Sequence, residues 1–294
     1  MIGKENMNNL NFDCKKCGKC CKASPQLMDK EIIKYSDKFF IQVSHYSILS
    51  YEKTPLDTEL INHYSKFCHV FYLPEKNCHL YYFVSLTAVS RGSEFCNQLE
   101  NNLCNLQKDK PLFCKTAPLN IMMPEESQIK LFNIQWKPLI EKNIFACDIG
   151  DKAKTLISNN NIANYEDQEG YYTLLNNIKN LTTFYVKKVL DTEEKTKNHI
   201  QYCLNLLEKN TTNVFYSSAL DLLNIYNKLG IITNFELDIF INNQINVINK
   251  DIEKALIKKD LNDRPVTNLL RKELERFTKQ KLEEKNEDEE VIIV

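Results

Sequence analysis

Residues 14–21 read Cys-Lys-Lys-Cys-Gly-Lys-Cys-Cys, and this short stretch decides how the rest of the chain is interpreted. Thiolates two residues apart on a turn can converge on one metal centre, and Gly18 provides the backbone freedom that such a turn needs. Four cysteines in eight residues have almost no purely structural explanation. We therefore predict that this segment binds metal through its four thiols: Cys14, Cys17, Cys20 and Cys21.

A second group of cysteines follows at a spacing of C-x7-C-x9-C and consists of Cys96, Cys104 and Cys114. Of the 11 cysteines in the 294 residues, all except Cys203 lie in the first half of the chain. The N-terminal residues contain no secretory signal, so we expect a cytoplasmic protein whose thiols are reduced and available to metal. The second group is predicted to complete the ligands of the first.

Charge and apolar patterning exclude several classes of function. Lys+Arg number 38 and Asp+Glu 39, and only four of the basic residues are arginine, so we predict no nucleic-acid partner. No window approaches 18 uninterrupted apolar residues, which predicts no membrane span. With six glycines the chain has neither a G-x-G-x-x-G motif nor a P-loop, and its cysteine spacing fails the C-x3-C-x2-C pattern of radical S-adenosylmethionine enzymes.

The hydrophobic pattern divides the chain and predicts an α+β fold. We expect a small, irregular, cysteine-rich metal-binding domain over 1–150, a linker over 151–168 and an all-helical domain over 169–294. In the first domain, alternation predicts strands at 69–73, 79–89 and 129–135, the first two forming a hairpin. From Tyr171 onward, apolar residues recur at three- and four-residue steps in five successive segments, which predicts amphipathic helices.

The two cysteine groups resemble the CxxCxxCC family of zinc- or iron-chelating proteins. The matching residues are Phe12, Cys14, Cys17, Gly18, Cys20 and Cys21, then Cys96, Leu99, Cys104, Leu106, Pro111, Cys114 and Pro118. The family often has a further cysteine in a Cys-Pro-Gly-Ile-Gly segment, which Cys147-Asp148-Ile149-Gly150 resembles. The resemblance covers roughly 12–150, departs from the family where lysines replace two arginines, and implies Cys147 as an eighth ligand.

Eight thiolates suit two four-cysteine sites, or one 4Fe–4S cluster beside a zinc ion. A structural zinc usually takes paired C-x-x-C knuckles, and only the first cysteine group has that form, so one or two iron–sulfur clusters are favoured over zinc. The dipeptides Cys68-His69 and Cys78-His79 bracket the predicted hairpin turn and could bind a further metal across the strands. The simpler interpretation, which we favour, is that they bind nothing.

Two classes of function are consistent with this pattern. The first is an enzyme that modifies a protein or peptide; a weaker resemblance to flagellin lysine-N-methylase implies S-adenosylmethionine as a methyl donor. The second is a zinc-stabilised, non-catalytic adaptor whose helical half binds a protein partner. The sequence identifies no catalytic acid or base, and neither the substrate nor the oligomeric state follows from it.

Overall fold

A computed structural model describes residues 9–16, 18–19, 21, 25–52, 56–89, 96–101, 103–208, 212–259 and 261–291, with side chains up to 283 except that of residue 262. The chain divides into two compact units. Unit 1 comprises Met1–Lys22, Tyr46–Val84 and Gln98–Val214, and unit 2 comprises Ala23–His45, Ser85–Asn97 and Phe215–Val294. These units interleave along the chain, whereas the sequence predicts two consecutive domains.

The described residues contain ten strands. They are β1 Asn9–Asn11, β2 Gln26–Leu27, β3 Phe40–Tyr51, β4 His69–Leu73, β5 Cys78–Val89, β6 Leu99–Glu100, β7 Leu103–Cys104, β8 Thr155–Ser158, β9 Asn161–Ile162 and β10 Thr212–Ser218. A five-stranded sheet has the order β10-β3-β5-β2, with β4 also pairing with β5. β1, β8 and β9 form a three-stranded sheet, and β6 and β7 form a two-stranded one.

The described residues also contain nine α-helices. They are α1 Thr58–Tyr64, α2 Leu112–Lys115, α3 Gln128–Gln135, α4 Lys137–Glu141, α5 Tyr165–Lys188, α6 Glu193–Leu206, α7 Ala219–Lys228, α8 Asn234–Lys258 and α9 Arg264–Val291. In the part of the chain that the structure describes, no helix is both long and apolar enough to cross a membrane. The mixture of strands and helices confirms the α+β class.

The predicted hairpin is confirmed. β4 and β5 pair in antiparallel register from His69 opposite Tyr82 to Leu73 opposite Cys78. The chain reverses through a short 3-10 turn at Pro74–Lys76, and Asn77 adopts the left-handed conformation at its end (φ 45°). Proline fixes the start of such a turn and asparagine tolerates the positive φ, which is why this segment reverses where the sequence predicts.

The strand predicted at 129–135 is wrong, because these residues form helix α3. Phe132 is buried and stacks at 6.3 Å on Trp136, four residues further along the chain, a contact that requires a helical turn. Gln128 fixes the preceding loop: its side-chain amide donates to the carbonyls of Asn120 and Met123, and its oxygen accepts from the Asn120 N–H. Local hydrogen bonds and an aromatic pair thus override the apparent alternation.

The five helices predicted from Tyr171 onward are confirmed as α5 to α9. The region is nevertheless not all-helical, because β10 lies between α6 and α7, and its exposure alternates residue by residue as in a strand. The segment 151–168, predicted as a linker, contains β8, β9 and the first turn of α5. Asn164 begins α5 by accepting a hydrogen bond from the Asp167 N–H.

In unit 1, α5 packs closely on α2. Gly170 of α5 is buried, and a methyl group added at this position would lie 2.9 Å from Cγ2 of Thr116 and 3.5 Å from Cδ1 of Leu112. A larger residue at 170 would push α2 away, so the absence of a side chain permits the contact. This contact fixes the position of a short helix that carries one of the predicted metal ligands, Cys114.

In unit 2, one buried side chain of α8 holds the chain that leads into β3. Gln244 is fully buried, and its oxygen accepts from the Ile41 N–H at 2.9 Å. Its amide group donates to the carbonyls of Ser36 (2.7 Å) and Phe39 (2.8 Å). Three backbone groups that would otherwise be buried without partners are therefore satisfied by a single glutamine.

Candidate metal centre

The first cysteine group lies on an irregular, reversing backbone. Lys16 (φ 58°) and Gly18 (φ 70°) both have left-handed conformations, and the Cys21 N–H donates to the Gly18 carbonyl at 3.0 Å. Gly18 is buried, Cys14 is exposed and Cys21 is half-buried. The turn that the glycine predicts is therefore present. Cys17 and Cys20, the other two predicted ligands of this group, lie outside the described residues.

The segment before the cysteines is anchored in the core of unit 1. Phe12 is buried, and its ring meets Phe132 and Trp136 edge-on at 6.1 and 5.8 Å. The Phe12 N–H donates to the carbonyl of Lys154 at 2.8 Å. Phe12 thereby fixes the chain two residues before the first predicted ligand, which gives the aromatic residue of the motif a structural reason.

An isolated antiparallel bridge brings the two ends of the predicted ligand set together. The Asp13 N–H donates to the Asp148 carbonyl at 2.8 Å, and the Asp148 N–H donates to the Asp13 carbonyl at 3.0 Å. Because the bridge is antiparallel, Cys14 after Asp13 and Cys147 before Asp148 lie at the same end of it. Such a pair has its Cα atoms about 5.5 Å apart. Cys14 and Cys147 are each one residue away from this pair, so their Cα atoms are within about 13 Å of each other.

The second cysteine group is distributed over different elements. Cys104 ends the β6–β7 hairpin opposite Leu99. Cys114 lies in α2, where its N–H donates to the carbonyl of Pro111 at 2.9 Å. Cys104 and Cys114 are half-buried and belong to unit 1, whereas Cys96 belongs to unit 2. Five of the eight predicted ligands are thus both described and in unit 1.

Lysines flank the cysteines of the first group in the sequence, at positions 15, 16, 19 and 22. The Lys15 ammonium lies 3.1 Å from the Asp148 carboxylate, so this ion pair lies beside the bridge described above. The pKa of Asp148 is lowered because its carboxylate accepts from the Gly150 N–H and pairs with Lys15.

The three cysteines outside the predicted set have a different environment. Burial raises the pKa of Cys68, Cys78 and Cys203 above that of an ordinary thiol. Cys78 and Cys203 are fully buried, the latter within α6. Burial therefore makes the thiolate form of these three cysteines less favourable.

The register of the β4–β5 hairpin separates the two Cys-His dipeptides that bracket its turn. His69 pairs with Tyr82 at one end, and Cys78 pairs with Leu73 at the other. These two pairs are four residue steps apart along the strands, which corresponds to about 14 Å. The two dipeptides cannot share one cross-strand metal ion in this register.

No group of three or more His, Cys, Asp or Glu side chains suited to a metal ion occurs among the described residues, a set that omits Cys17 and Cys20. Comparison with protein-family models gave no match, and searches of curated proteins and of solved structures gave none either. The resemblance to the CxxCxxCC family therefore stays a prediction from the motif. Sequence reasoning missed the Asp13–Asp148 bridge, since aspartates carry no pairing signal.

Proposed function

We propose that this protein is a metal protein whose clustered cysteines hold an iron–sulfur cluster in unit 1. The proposed ligands are drawn from the first cysteine group together with Cys104, Cys114 and Cys147. Cys96 is the remaining candidate and would serve a second centre. Zinc is the alternative metal for the same donors, because thiolates bind both.

The observation that carries this proposal is the bridge between Asp13 and Asp148. It joins segments from opposite ends of the cysteine-rich region, and each aspartate is adjacent to a predicted ligand. A bridge at that point shortens the gap between Cys14 and Cys147 to a span that side chains and a cluster can close. Proximity of these two residues is what a shared centre requires.

The local chemistry supports iron–sulfur ligation over zinc. The first group reverses direction through Lys16 and Gly18, both at positive φ. A structural zinc site usually takes two C-x-x-C knuckles, and the first group is the only one of the two cysteine groups with that spacing. A four-cysteine cluster carries net negative charge, which the lysines at 15, 16, 19 and 22 would offset. The cluster, when bound, would supply electron transfer or Lewis acidity.

The proposed activity is the modification of a protein or peptide, and it rests on the weaker resemblance to flagellin lysine-N-methylase alone. In that proposal the metal centre orders unit 1, and S-adenosylmethionine supplies a methyl group. Calorimetric titration of the metal-loaded protein with S-adenosylmethionine tests it. Saturable heat is expected; its absence at high concentration would leave a metal-stabilised adaptor as the better description.

The metal proposal is tested by anaerobic purification of the full chain with iron, sulfide and zinc quantified on one sample. We expect a brown protein with a broad absorption band at about 400 nm. It should contain roughly four or eight irons per chain and the same number of sulfide ions. A colourless protein with stoichiometric zinc and no sulfide would contradict the cluster and favour the zinc alternative.

A further inference from the structure

A cavity in unit 2 lies where α8 ends and α9 begins, in a region that the metal proposal does not involve. Its volume is about 340 Å³, within the range of sites for small molecules. Its lining includes three cationic side chains: Lys259, Arg264 and Arg271. Among the described residues, no acidic side chain lines it.

The two arginines are unusual in this chain. Only four of its 38 basic residues are arginine, and three of those lie within the first half of α9. Arg276 is explained by an ion pair, since its guanidinium lies 2.8 Å from both carboxylate oxygens of Asp221. Within the described part of the chain, neither Arg264 nor Arg271 has an acidic partner. A lysine-rich chain thus places two uncompensated guanidinium groups on one cavity.

The geometry of α9 allows both arginines to act on one ligand. Arg264, Asn268 and Arg271 are spaced by four and three residues, so they share one face of the helix. The two arginine Cα atoms are about 10 Å apart along the axis, a distance that their long side chains can span from opposite sides of a phosphate. The planar guanidinium group binds phosphate oxygens in pairs, which an ammonium group cannot do.

The other described charges near the cavity do not cancel this positive potential. Asp263 is buried beside Arg264, but its carboxylate lies 3.6 Å from the Lys258 ammonium, which offsets it. The ends of α8 and α9 carry helix-dipole charges of opposite sign and largely cancel each other. Among the described residues, the side chains of Lys259 and of the two arginines therefore determine the sign of the site.

The rest of the lining combines the apolar residues Ala255, Leu256 and Leu261 with the polar residues Thr267 and Asn268. Leu256 and Leu261 are 53% and 75% exposed, which is high for two leucines that share one depression. A ligand that combined an anionic group with an apolar or aromatic part would cover them while it paired with the arginines. We propose that this cavity binds a small phosphorylated molecule with an apolar portion.

The test uses phenyl phosphate as the probe and the full, metal-loaded chain as the receptor, in a ligand-observed NMR titration. Saturable binding is expected, weakening as salt is raised, with phenol bound far more weakly because it lacks the charge. Arg264→Gln and Arg271→Gln are each expected to weaken binding by about tenfold. Lys272→Gln, which removes an exposed neighbouring charge outside the lining, should change it less than twofold.

Circular dichroism of each variant confirms that it is folded. The proposal is overturned if phenyl phosphate fails to saturate the protein at tens of millimolar, if phenol binds equally well, or if Lys272→Gln weakens binding as much as the arginine variants do. Metal content is measured on the same samples, so that loss of the centre proposed for unit 1 is distinguished from loss of this site.

Discussion

The contact between α5 and α2 gives a prediction with a defined sign. Gly170→Ala adds a methyl group 2.9 Å from Cγ2 of Thr116, where ordinary van der Waals contact begins at 3.4 Å, so the two groups must separate by about 0.5 Å. Thr116 cannot rotate away freely, because it is β-branched, 3% exposed and bonded through its hydroxyl to the Phe113 carbonyl.

Overpacking of this kind costs about 1–3 kcal/mol, against a gain of about 1 kcal/mol when alanine replaces glycine inside a helix. We expect Gly170→Ala to lower the free energy of unfolding by about 1 kcal/mol in the natural background. In a Thr116→Ser background the offending methyl is absent while the hydroxyl bond is kept. There the same substitution is expected to raise the free energy of unfolding by about 1 kcal/mol.

The assay is urea unfolding followed by circular dichroism for the natural protein, both single variants and the double variant. The expected coupling energy is about 2 kcal/mol, and it isolates the contact from the propensity effect because that effect is common to both backgrounds. If Gly170→Ala changes stability by the same amount in both backgrounds, the close packing of α5 on α2 is refuted.

Three further predictions follow from other parts of the chain. Burial lowers the pKa of His199 to about 4. Below about pH 6.5 the unfolded chain therefore takes up a proton at this histidine that the folded chain does not. The free energy of unfolding should fall by about 3 kcal/mol between pH 6.5 and pH 4. His199→Phe keeps an aromatic ring beside Tyr82 and should flatten this slope in urea midpoints measured across that range; an unchanged slope would count against the assignment. Gln244→Ala leaves three buried backbone groups unpaired and should cost about 3 kcal/mol or more in the same assay, whereas a loss below about 1 kcal/mol would show that those bonds are replaced. Gly18→Ala places a Cβ on a residue at φ 70° and should reduce bound metal per chain; full retention would indicate that the turn does not shape the centre.

The fold could be predicted where local signals decide it. The β4–β5 hairpin follows from alternation on both sides of Pro74, and α5 to α9 follow from a sustained helical period. The 12-residue strand β3 was not predicted, because buried polar residues such as Gln42, Ser44 and His45 interrupt its apolar pattern. Its place depends on pairing with strands distant in sequence. The interleaving of the two units follows from the same long-range pairing, since β3 and β5 each contribute residues to both.

For the candidate site, the sequence provides a list of proposed ligands but not their arrangement. Cysteine spacing identifies the first group, and the turn at Gly18 agrees with it. The approach of Cys14 to Cys147 arises from backbone hydrogen bonds between two aspartates more than a hundred residues apart, which no spacing rule expresses. The arginine-lined cavity in unit 2 had only one sequence signal, the concentration of scarce arginines in one helix.

The most direct test of the central claim compares two buried cysteines, one inside and one outside the proposed ligand set. Cys147 is 8% exposed and Cys203 is fully buried, so replacement of either by alanine removes a buried sulfur of the same size. Both variants are purified anaerobically, and circular dichroism checks that they are folded. Each is then assayed for iron, sulfide and absorption at about 400 nm. We predict that Cys147→Ala loses most of the cluster while Cys203→Ala retains it; equal retention in both variants would contradict a metal centre at the Asp13–Asp148 bridge.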